Sequence, residues 1–343
     1  MIHYAGIDVS LKSSSVAVVD ARGKIVREAK VESDPAPLIE WFGACGLEME
    51  RIGLEAGPLS QWLYKTMKEA GLAVDLLETR HVRNAFKTMA VKTDRKDAQG
   101  IAELVRVGWY RPVHCKSMNA QETRTMLATR KLIDQKLRDV EMSLRGLLRG
   151  YGLKVGKTTP TRFADRIKEL VGANATLQIV AESLLAVHKV LLREFKNLDK
   201  RVRLMARDSA EGRLLMTATG VGPIIALTVA SGIDDPGRFK NSKAVGAYFG
   251  LTQKKYQSGE TDITGRISKA GDAGVRTALY QAAHIMLTKP VKSSALKTWA
   301  LRLAKRVGMS KAKVALARKL AVVMHRMLVE GKPFNPAAGA AAA

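Results

Sequence analysis

The sequence has 343 residues, with 57 Lys and Arg against 32 Asp and Glu, which gives a formal net charge of +25 at pH 7. A surplus of that size repels itself in a folded chain and indicates a polyanionic partner. Nucleic acid is the first candidate and an anionic membrane surface the second. An apolar content of 46% argues against general disorder, and only two cysteines, Cys45 and Cys115, argue against a disulfide framework or a zinc site. The N-terminus lacks a signal-peptide pattern, so we expect a cytoplasmic protein. The length of the chain suits two or three domains.

The first eighty residues alternate between short apolar strands and amphipathic helices. We predict strands over 3–9, 14–19, 24–31, 51–55 and 72–77, and helices starting at Asp34 and spanning 61–70. The order β-β-β-α-β-α-β matches a ribonuclease-H-like domain, a mixed sheet with helices on its faces. We assign residues 1–115 to this α/β domain.

Four acidic residues stand at positions where this fold would bring them together. Asp8 and Glu55 each end a predicted strand, and Asp94 and Asp97 lie three apart at the start of a helix that Thr93 caps. Four converging carboxylates would repel one another unless they held divalent cations, so we predict two Mg²⁺ ions, or Mn²⁺, and in-line phosphoryl displacement. Each element has a simpler interpretation, since Asp8 suits a turn and the other pair suits a helix N-terminus.

Basic residues surround the last two acids. Lys92, Arg95 and Lys96 share the segment Lys92-Thr93-Asp94-Arg95-Lys96-Asp97 with them, and we expect these three side chains to face nucleic-acid phosphates.

Residues 116–208 change to long helices. One apolar seam runs through Ile133, Leu137, Val140, Leu144, Leu147 and Tyr151, and a second runs through Leu177, Val180, Leu184, Val187 and Leu191. The pattern indicates an antiparallel coiled-coil hairpin or a dimerising coiled coil, and two helices of an ordinary bundle fit equally well.

Residues 209–335 form the third, mostly helical region, and we expect 336–343 to be a flexible tail. Leu214 to Ile233 is twenty residues without a charge, the length of a membrane span, but it contains Pro223, three glycines and four hydroxyl side chains. We therefore interpret Gly220-Val221-Gly222 as the turn of a helix-hairpin-helix element that binds a DNA phosphate, with an apolar helical hairpin without ligand as the alternative. Lys289 to Lys332 holds twelve Lys or Arg and one acid, Glu330, which favours a cationic helical surface.

Several motifs together resemble the DEDD transposases of bacterial insertion sequences related to the pilin-gene invertases. The resemblance spans nearly the whole chain, roughly residues 4 to 300. The matching segments are 6–10, 55–56, 92–98, 220–223, 239–243, 247–251, 258–259 and 266–271. The resemblance implies a site-specific DNA recombinase whose acidic domain is similar to the RuvC Holliday-junction resolvases, with Asp8, Glu55, Asp94 and Asp97 as the metal-binding acids.

The resemblance also implies a serine in the third region that attacks DNA and forms a covalent phosphoserine link. Ser258 matches that motif and lies in a polar loop beside Gly259, which permits close approach to a phosphate. The competing serines are Ser242, which suits a helix cap, and Ser268, which suits a basic loop. The matched segments supply further nucleic-acid contacts: Gly220, Gly222, Lys240, Lys243, Arg266 and Lys269.

The partners implied by the resemblance are donor and target DNA and a structured guide RNA, the bridge RNA, that pairs with both. We expect a homodimer or homotetramer and no membrane. Two alternatives stay open: a RuvC-like structure-selective endonuclease that needs only the acids, and a non-catalytic nucleic-acid-binding scaffold that shows no metal dependence.

Overall fold

The computed structural model describes residues 2–88, 93–172 and 174–337. It is a mixed α/β structure, as predicted, and it divides into two compact units, Met1–Lys116 and Ser117–Ala343. The predicted boundary between residues 208 and 209 falls inside the second unit, because the long helices and the C-terminal helices pack together.

The first unit is built on a five-stranded sheet in the order β3-β2-β1-β4-β5. The strands are β1 His3–Val9, β2 Ser13–Asp20, β3 Ile25–Glu32, β4 Met49–Glu55 and β5 Val74–Leu77. β1, β2 and β3 are antiparallel neighbours, whereas β4 and β5 run parallel to β1. All five strands were predicted, and the mixed directions agree with the ribonuclease-H-like sheet expected from their order.

Helices cover both faces of this sheet. They are α1 Pro35–Ala44, α2 Ser60–Glu69, α3 Thr79–Ala85 and α4 Asp94–Arg106, and a 3₁₀ turn follows α3 at Phe86–Thr88. α1 and α2 pack on one face through the buried side chains of Leu38 and Leu63, which meet Ile7 and Leu54 of the sheet. α4 packs on the opposite face. Burial of the apolar strand residues on both faces explains their near-continuous hydrophobicity.

An antiparallel pair of long helices opens the second unit. α5 Met118–Gly150 and α7 Ala175–Asp208 are joined through the short α6 Phe163–Val171. The pairs Arg130–Asp199 and His188–Glu141 set their antiparallel register. The two helices form an antiparallel hairpin, and both also pack against helices further along the second unit, so the structure agrees with the hairpin and equally with two helices of a larger bundle.

The predicted seam of this hairpin is wrong at three positions. Leu147, Tyr151 and Val187 are 50%, 62% and 49% exposed, whereas Leu148 and Leu185 are buried. A straight helix turns once per 3.6 residues, so a seam predicted with a 3.5-residue period drifts off the buried face. α7 is also long and apolar enough to cross a membrane by length and composition, with 22% of its most apolar window buried.

The rest of the second unit packs around a helical core. Its elements are α8 Ala210–Met216, α9 Pro223–Ile233, α10 Ser242–Tyr248, β6 Gln253–Ser258, β7 Thr261–Ile267, α11 Ala273–Thr288, α12 Ala295–Val307 and α13 Met309–Glu330, with a 3₁₀ turn at Pro236–Arg238. Leu279 and Met286 of α11 meet Leu316 and Leu320 of α13 at the centre, and all four are fully buried.

The uncharged segment from Leu214 to Ile233 is divided between α8 and α9, and neither helix is long enough to span a bilayer. Gly220 lies in the turn between them with φ +82°, and a Cβ there would stand 2.8 Å from the carbonyl oxygen of Ala282 in α11. Glycine is therefore needed for packing against α11, which is a structural reason for the motif. Phosphate binding by this turn stays a prediction.

A buried histidine links α13 to the segment before α10. His325 is 1% exposed, and its Nε2 donates to the carbonyl oxygen of Pro236, which leaves Nδ1 to accept from the hydroxyl of Ser242. Burial, together with the charge of Arg238, lowers the pKa of His325 below its ordinary 6.5.

This histidine should make the second unit sensitive to acid. Between the lowered folded pKa and 6.5 the unfolded chain binds more protons, so stability should fall as the pH drops below 6.5 and level off below the folded pKa. His325→Gln keeps a donor and an acceptor but does not titrate. Urea midpoints measured from pH 7.5 to 5 should therefore depend less on pH in the variant, and an identical dependence would contradict the assignment.

Candidate functional site

Asp8 and Glu55 end two strands that lie side by side. β1 and β4 are parallel, and Ile7 pairs with Leu54 in their register, so the two carboxylates follow at the next position of each strand. Neighbouring strands are ~4.8 Å apart. Both side chains are half-buried. The sequence predicted this arrangement on the condition that the two strands were neighbours, and they are.

Two glycines show which face of the sheet the acids occupy. A Cβ on Gly6 would stand 2.2 Å from the carbonyl oxygen of Ala98, and a Cβ on Gly53 would stand 2.8 Å from a methyl group of Ile101. Both glycines therefore face α4. Side chains two residues apart in a strand share a face, so Asp8 and Glu55 also face the α4 side.

The start of α4 lies at the same end of the sheet. Thr93 caps the helix by accepting from the backbone N–H of Lys96. The C-terminal part of α4 approaches the β2–β3 turn, where a Cβ on Gly23 would stand 2.7 Å from Glu103, and that turn is at the opposite end of β1 from Asp8. The first turn of α4 therefore points toward the carboxyl ends of β1 and β4. Asp97 is 8% exposed, whereas Asp94 is exposed, so the two acids of this turn have different surroundings.

The donor chemistry of these residues suits a hard divalent cation, because carboxylate oxygens are its preferred ligands. Within residues 2–88, 93–172 and 174–337, no three His, Cys, Asp or Glu side chains form a group able to hold a metal ion. The fit therefore consists of the adjacent strand-end pair, Asp8 and Glu55, and the described residues do not bring a third ligand into the same group. Mg²⁺ usually binds through one or two carboxylates together with substrate phosphates, which such a partial set permits.

The basic residues of this segment are arranged differently from the prediction. Arg95 forms a bidentate ion pair with Glu28 of β3, through its Nε and Nη2, and this bond lowers the pKa of the Glu28 carboxyl. The pair ties α4 to the edge strand of the sheet. Lys96 is exposed, and Lys92 lies outside the described residues.

A cavity of about 890 Å³ opens beside this turn. Its lining includes Thr93, the N-cap of α4, Asp94 of α4, and Ser15 and Lys30 from the sheet. Ser15 pairs with Asp8 and also with Lys30, so a serine and a lysine stand in the same row as the strand-end acid. Neither residue was predicted as part of the site, because their position beside Asp8 depends on strand register.

Ser258 ends β6 at the tip of an exposed β-hairpin, which we call the arm (residues 253–267). Ser258 pairs with Thr261 across the turn, and Gly259 has φ +55°. Every residue of β6 is exposed. The hydroxyl therefore stands on a solvent-accessible tip, next to a residue that leaves room for a close approach.

The two competing serines have structural partners. Ser242 is the first residue of α10, and its hydroxyl bonds to His325, whereas the cap is Asn241, which accepts from Ala244 N. The expected capping role of Ser242 is therefore wrong by one residue. The Ser268 hydroxyl accepts from the backbone N–H of Ala270 within its own loop.

The base of the arm is held by close backbone packing. A Cβ on Gly250 would lie 2.1 Å from the carbonyl oxygen of Ala270, and one on Gly271 would lie 2.1 Å from that of Tyr248. Arg276 of α11 bridges the two loops, since its Nη1 donates to the carbonyl oxygens of Phe249, Ala270 and Gly271 at 3.1, 2.8 and 2.9 Å. Nothing in the sequence around Arg276 marked it for this role.

We expect Arg276→Ala to loosen the arm. Loss of charge-assisted bonds to three carbonyls should cost on the order of 3 kcal/mol, and the carbonyls of the two loops would lose their shared donor. Brief trypsin treatment should then cut at Lys254 and Lys255 much faster than in the wild type. The control is Arg302→Ala, on an exposed position of α12. Equal cleavage rates in both variants would show that Arg276 does not secure the arm.

The remaining predicted nucleic-acid contacts lie in the second unit. Lys243, Arg266 and Lys269 line one large groove, and Lys240 is exposed in the loop before α10. Gly222 is the N-cap of α9, where no side chain caps the helix and a Cβ would meet open space.

Comparison with known proteins bears on both units. A family model for DEDD transposases related to IS110, described as a transposase, matches residues 5–153. A second, described as the transposase IS116/IS110/IS902 family, matches residues 212–298.

Relatives and a solved structure also match the chain. It is 26% identical to the transposase for insertion sequence element IS1111A of Coxiella burnetii, over 97% of this chain and 92% of the relative. It is 22% identical to the transposase for insertion sequence element IS1328 of Yersinia enterocolitica, over 83% and 85% of the two chains. The Thermus thermophilus RuvC structure is 18% identical and covers 32% of this chain and 99% of its own, with a TM-score of 0.25.

The two domain matches, together with the nearly full-length relatives, agree with the resemblance predicted from the motifs. The chain belongs to the IS110/IS116 family of insertion-sequence transposases, enzymes that cleave and rejoin DNA.

Proposed function

We propose that this transposase is a site-specific recombinase that divides its chemistry between the acids of the first unit and Ser258 of the second. The observation that carries the proposal is the parallel register that sets Asp8 beside Glu55 on the face covered by α4. Asp97, buried on the first turn of that helix, and Asp94 complete the proposed set.

The acids would hold divalent cations, Mg²⁺ or Mn²⁺, at a DNA phosphate. Such ions supply charge neutralisation of the phosphoryl oxygens and activation of the attacking oxygen. The protein's own contribution is orientation: Asp8 and Glu55 are fixed by the sheet, and Asp97 is fixed by the packing of α4 on Gly6. Lys96, which is exposed, and Lys30, which lines the neighbouring cavity, would contact neighbouring phosphates.

Ser258 would form the covalent link. Its oxygen attacks the phosphorus, one P–O bond to a deoxyribose oxygen breaks, the serine proton leaves to a base or to water, and the freed deoxyribose oxygen takes up a proton to become a hydroxyl. Attack on the resulting ester by a hydroxyl of the other strand restores a phosphodiester and frees the serine. Since one ester replaces another at each step, rejoining needs no energy-supplying cofactor. Support comes from the exposed position of Ser258 on the arm and from its motif.

The proposal includes a structured guide RNA and a second copy of the chain. The net charge of +25 supports a large polyanionic partner. The side chains that leave the α5–α7 seam, Leu147, Tyr151 and Val187, support self-association of that hairpin. RNA that copurifies with the protein, and the mass of the particle in solution, test these two points.

Trapping a protein–DNA adduct tests the serine step. Wild-type protein with donor and target DNA should give a species that survives denaturing electrophoresis, and Ser258→Ala should give none. The matched control is Ser268→Ala, which keeps the family motif at 258. An adduct of normal yield with Ser258→Ala would remove the serine from the mechanism. Metal-dependent cleavage without any adduct would favour the structure-selective endonuclease, and cleavage-free binding would favour the scaffold.

A further inference from the structure

The second unit contains a groove of about 1430 Å³, larger than the ~300–1,000 Å³ pockets that enclose small ligands. It lies between the base of the arm and the helices α10, α12 and α13. Seven Lys or Arg side chains line it: Lys243, Arg266, Lys269, Arg306, Lys311, Arg318 and Lys319. Among the described residues that line it, none is an Asp or Glu. The ligand should therefore be a polyanion.

Apolar side chains line the same groove. They are Leu251, Ile267, Trp299, Leu303, Val307, Val314, Ala315 and Val322. A DNA duplex turns its phosphates outward and hides its base faces by stacking, so it gains little from such a lining. An unpaired strand exposes base faces as well as phosphates, and proteins that bind such strands combine a cationic groove with an aromatic side chain.

Trp299 supplies the aromatic surface. Its ring is half-buried, and the Nζ of Lys319 lies 4.6 Å from the ring centroid. Burial and the neighbouring charge of Arg318 lower the pKa of the Lys319 ammonium.

The groove also has a fixed relation to Ser258. Gln253 and residues 264–267 of the arm form part of its lining, and Ser258 is five residues further along β6. At ~3.4 Å per residue the tip is about 17 Å from the base of the arm. A strand held in the groove would thus lie a short distance from the serine that we propose to attack DNA.

We infer that this groove binds an unpaired DNA strand, with bases against Trp299 and the apolar lining and phosphates on the surrounding cations. The inference rests on the proposed function for the choice of DNA over RNA, because the arm that forms one wall carries Ser258. The binding itself requires neither cleavage nor a metal.

Binding of labelled twelve-nucleotide probes to Ser258→Ala protein, followed by fluorescence anisotropy without divalent cations, tests the inference. The unpaired DNA probe should bind at least about tenfold tighter than the same sequence as a duplex. Arg306→Glu with Lys311→Glu should weaken binding by about tenfold or more. The same double variant should reduce the slope of log affinity against log salt by about 0.7 for each phosphate that the protein no longer neutralises. The control, Lys189→Glu with Lys196→Glu on exposed positions of α7, carries the same charge change and should bind normally.

Photocrosslinking of wild-type protein to a 5-iodouridine-substituted DNA strand tests which residues contact the bound strand. Because it uses no variant, its result does not depend on whether a variant folds. Crosslinked peptides should map to 295–307 and include Trp299. Duplex binding as tight as that of the unpaired strand, tighter binding of the matching RNA probe, or crosslinks confined to other segments would each overturn the inference. Because Ser258→Ala cannot form the adduct, failure of these binding tests is distinguishable from failure of the serine chemistry.

Discussion

Asp8→Asn should reduce metal-dependent strand cleavage by about 1000-fold or more. A change from carboxylate to amide removes one charged ligand from the strand-end pair, and a loss of about 4 kcal/mol of transition-state stabilisation corresponds to that factor. The amide has nearly the same shape and the side chain is half-buried, so folding should be retained. Cleavage of a labelled DNA substrate, measured over a range of Mg²⁺ concentrations, gives the effect.

The control for this prediction is Asp20→Asn. Asp20 ends β2, at the other end of the sheet from Asp8, and it accepts backbone N–H bonds from Arg22 and Lys24, which an asparagine oxygen also accepts. Its activity should be close to that of the wild type. If Asp8→Asn cleaves as fast as Asp20→Asn does, the carboxylate at the end of β1 does not take part in the reaction.

Gly6→Ala should damage both the stability of the first unit and its activity. The added Cβ would stand 2.2 Å from Ala98 O and 2.3 Å from Ala102 N, both backbone atoms of α4, so the helix must move away from the sheet. Overpacking of this kind costs typically ~1–3 kcal/mol, and the clash with backbone atoms puts this site at the upper end. The movement would also displace Asp97 relative to Asp8.

Hydrogen exchange measured on peptides from β1 and α4 localises this effect. Protection there should fall by roughly 150-fold for a loss of ~3 kcal/mol, while peptides of the second unit stay unchanged. The control is Gly43→Ala, because Gly43 lies in α1 with open space around it. This substitution should stabilise the first unit by roughly 0.5–1 kcal/mol. Unchanged protection of α4 in Gly6→Ala would mean that the helix does not rest on this glycine.

Local patterns determined much of the first unit. Strands β1 to β5 and the Thr93 cap follow from the alternation of apolar and polar residues, from turn residues and from capping chemistry, all of which act over a few residues. The seam of the long hairpin was predicted less well, since Leu147 and Leu148 are both apolar and only the partner helix selects the buried one. The Ser242 cap failed for a similar reason, because Asn241 beside it is an equally good acceptor.

The sequence by itself determined the charge and the order of the elements in the first unit, and it predicted Asp8, Glu55, Asp94, Asp97 and Ser258 as site residues, because these inferences depend on residues and their neighbours. The tertiary structure alone decided that β1 and β4 are adjacent and parallel, that Gly6 and Gly53 admit α4, and that Arg276 joins the two loops under the arm. It also decided which cations share a groove with Trp299. These relations connect residues far apart in the chain, and they depend on packing and register, which no local pattern encodes.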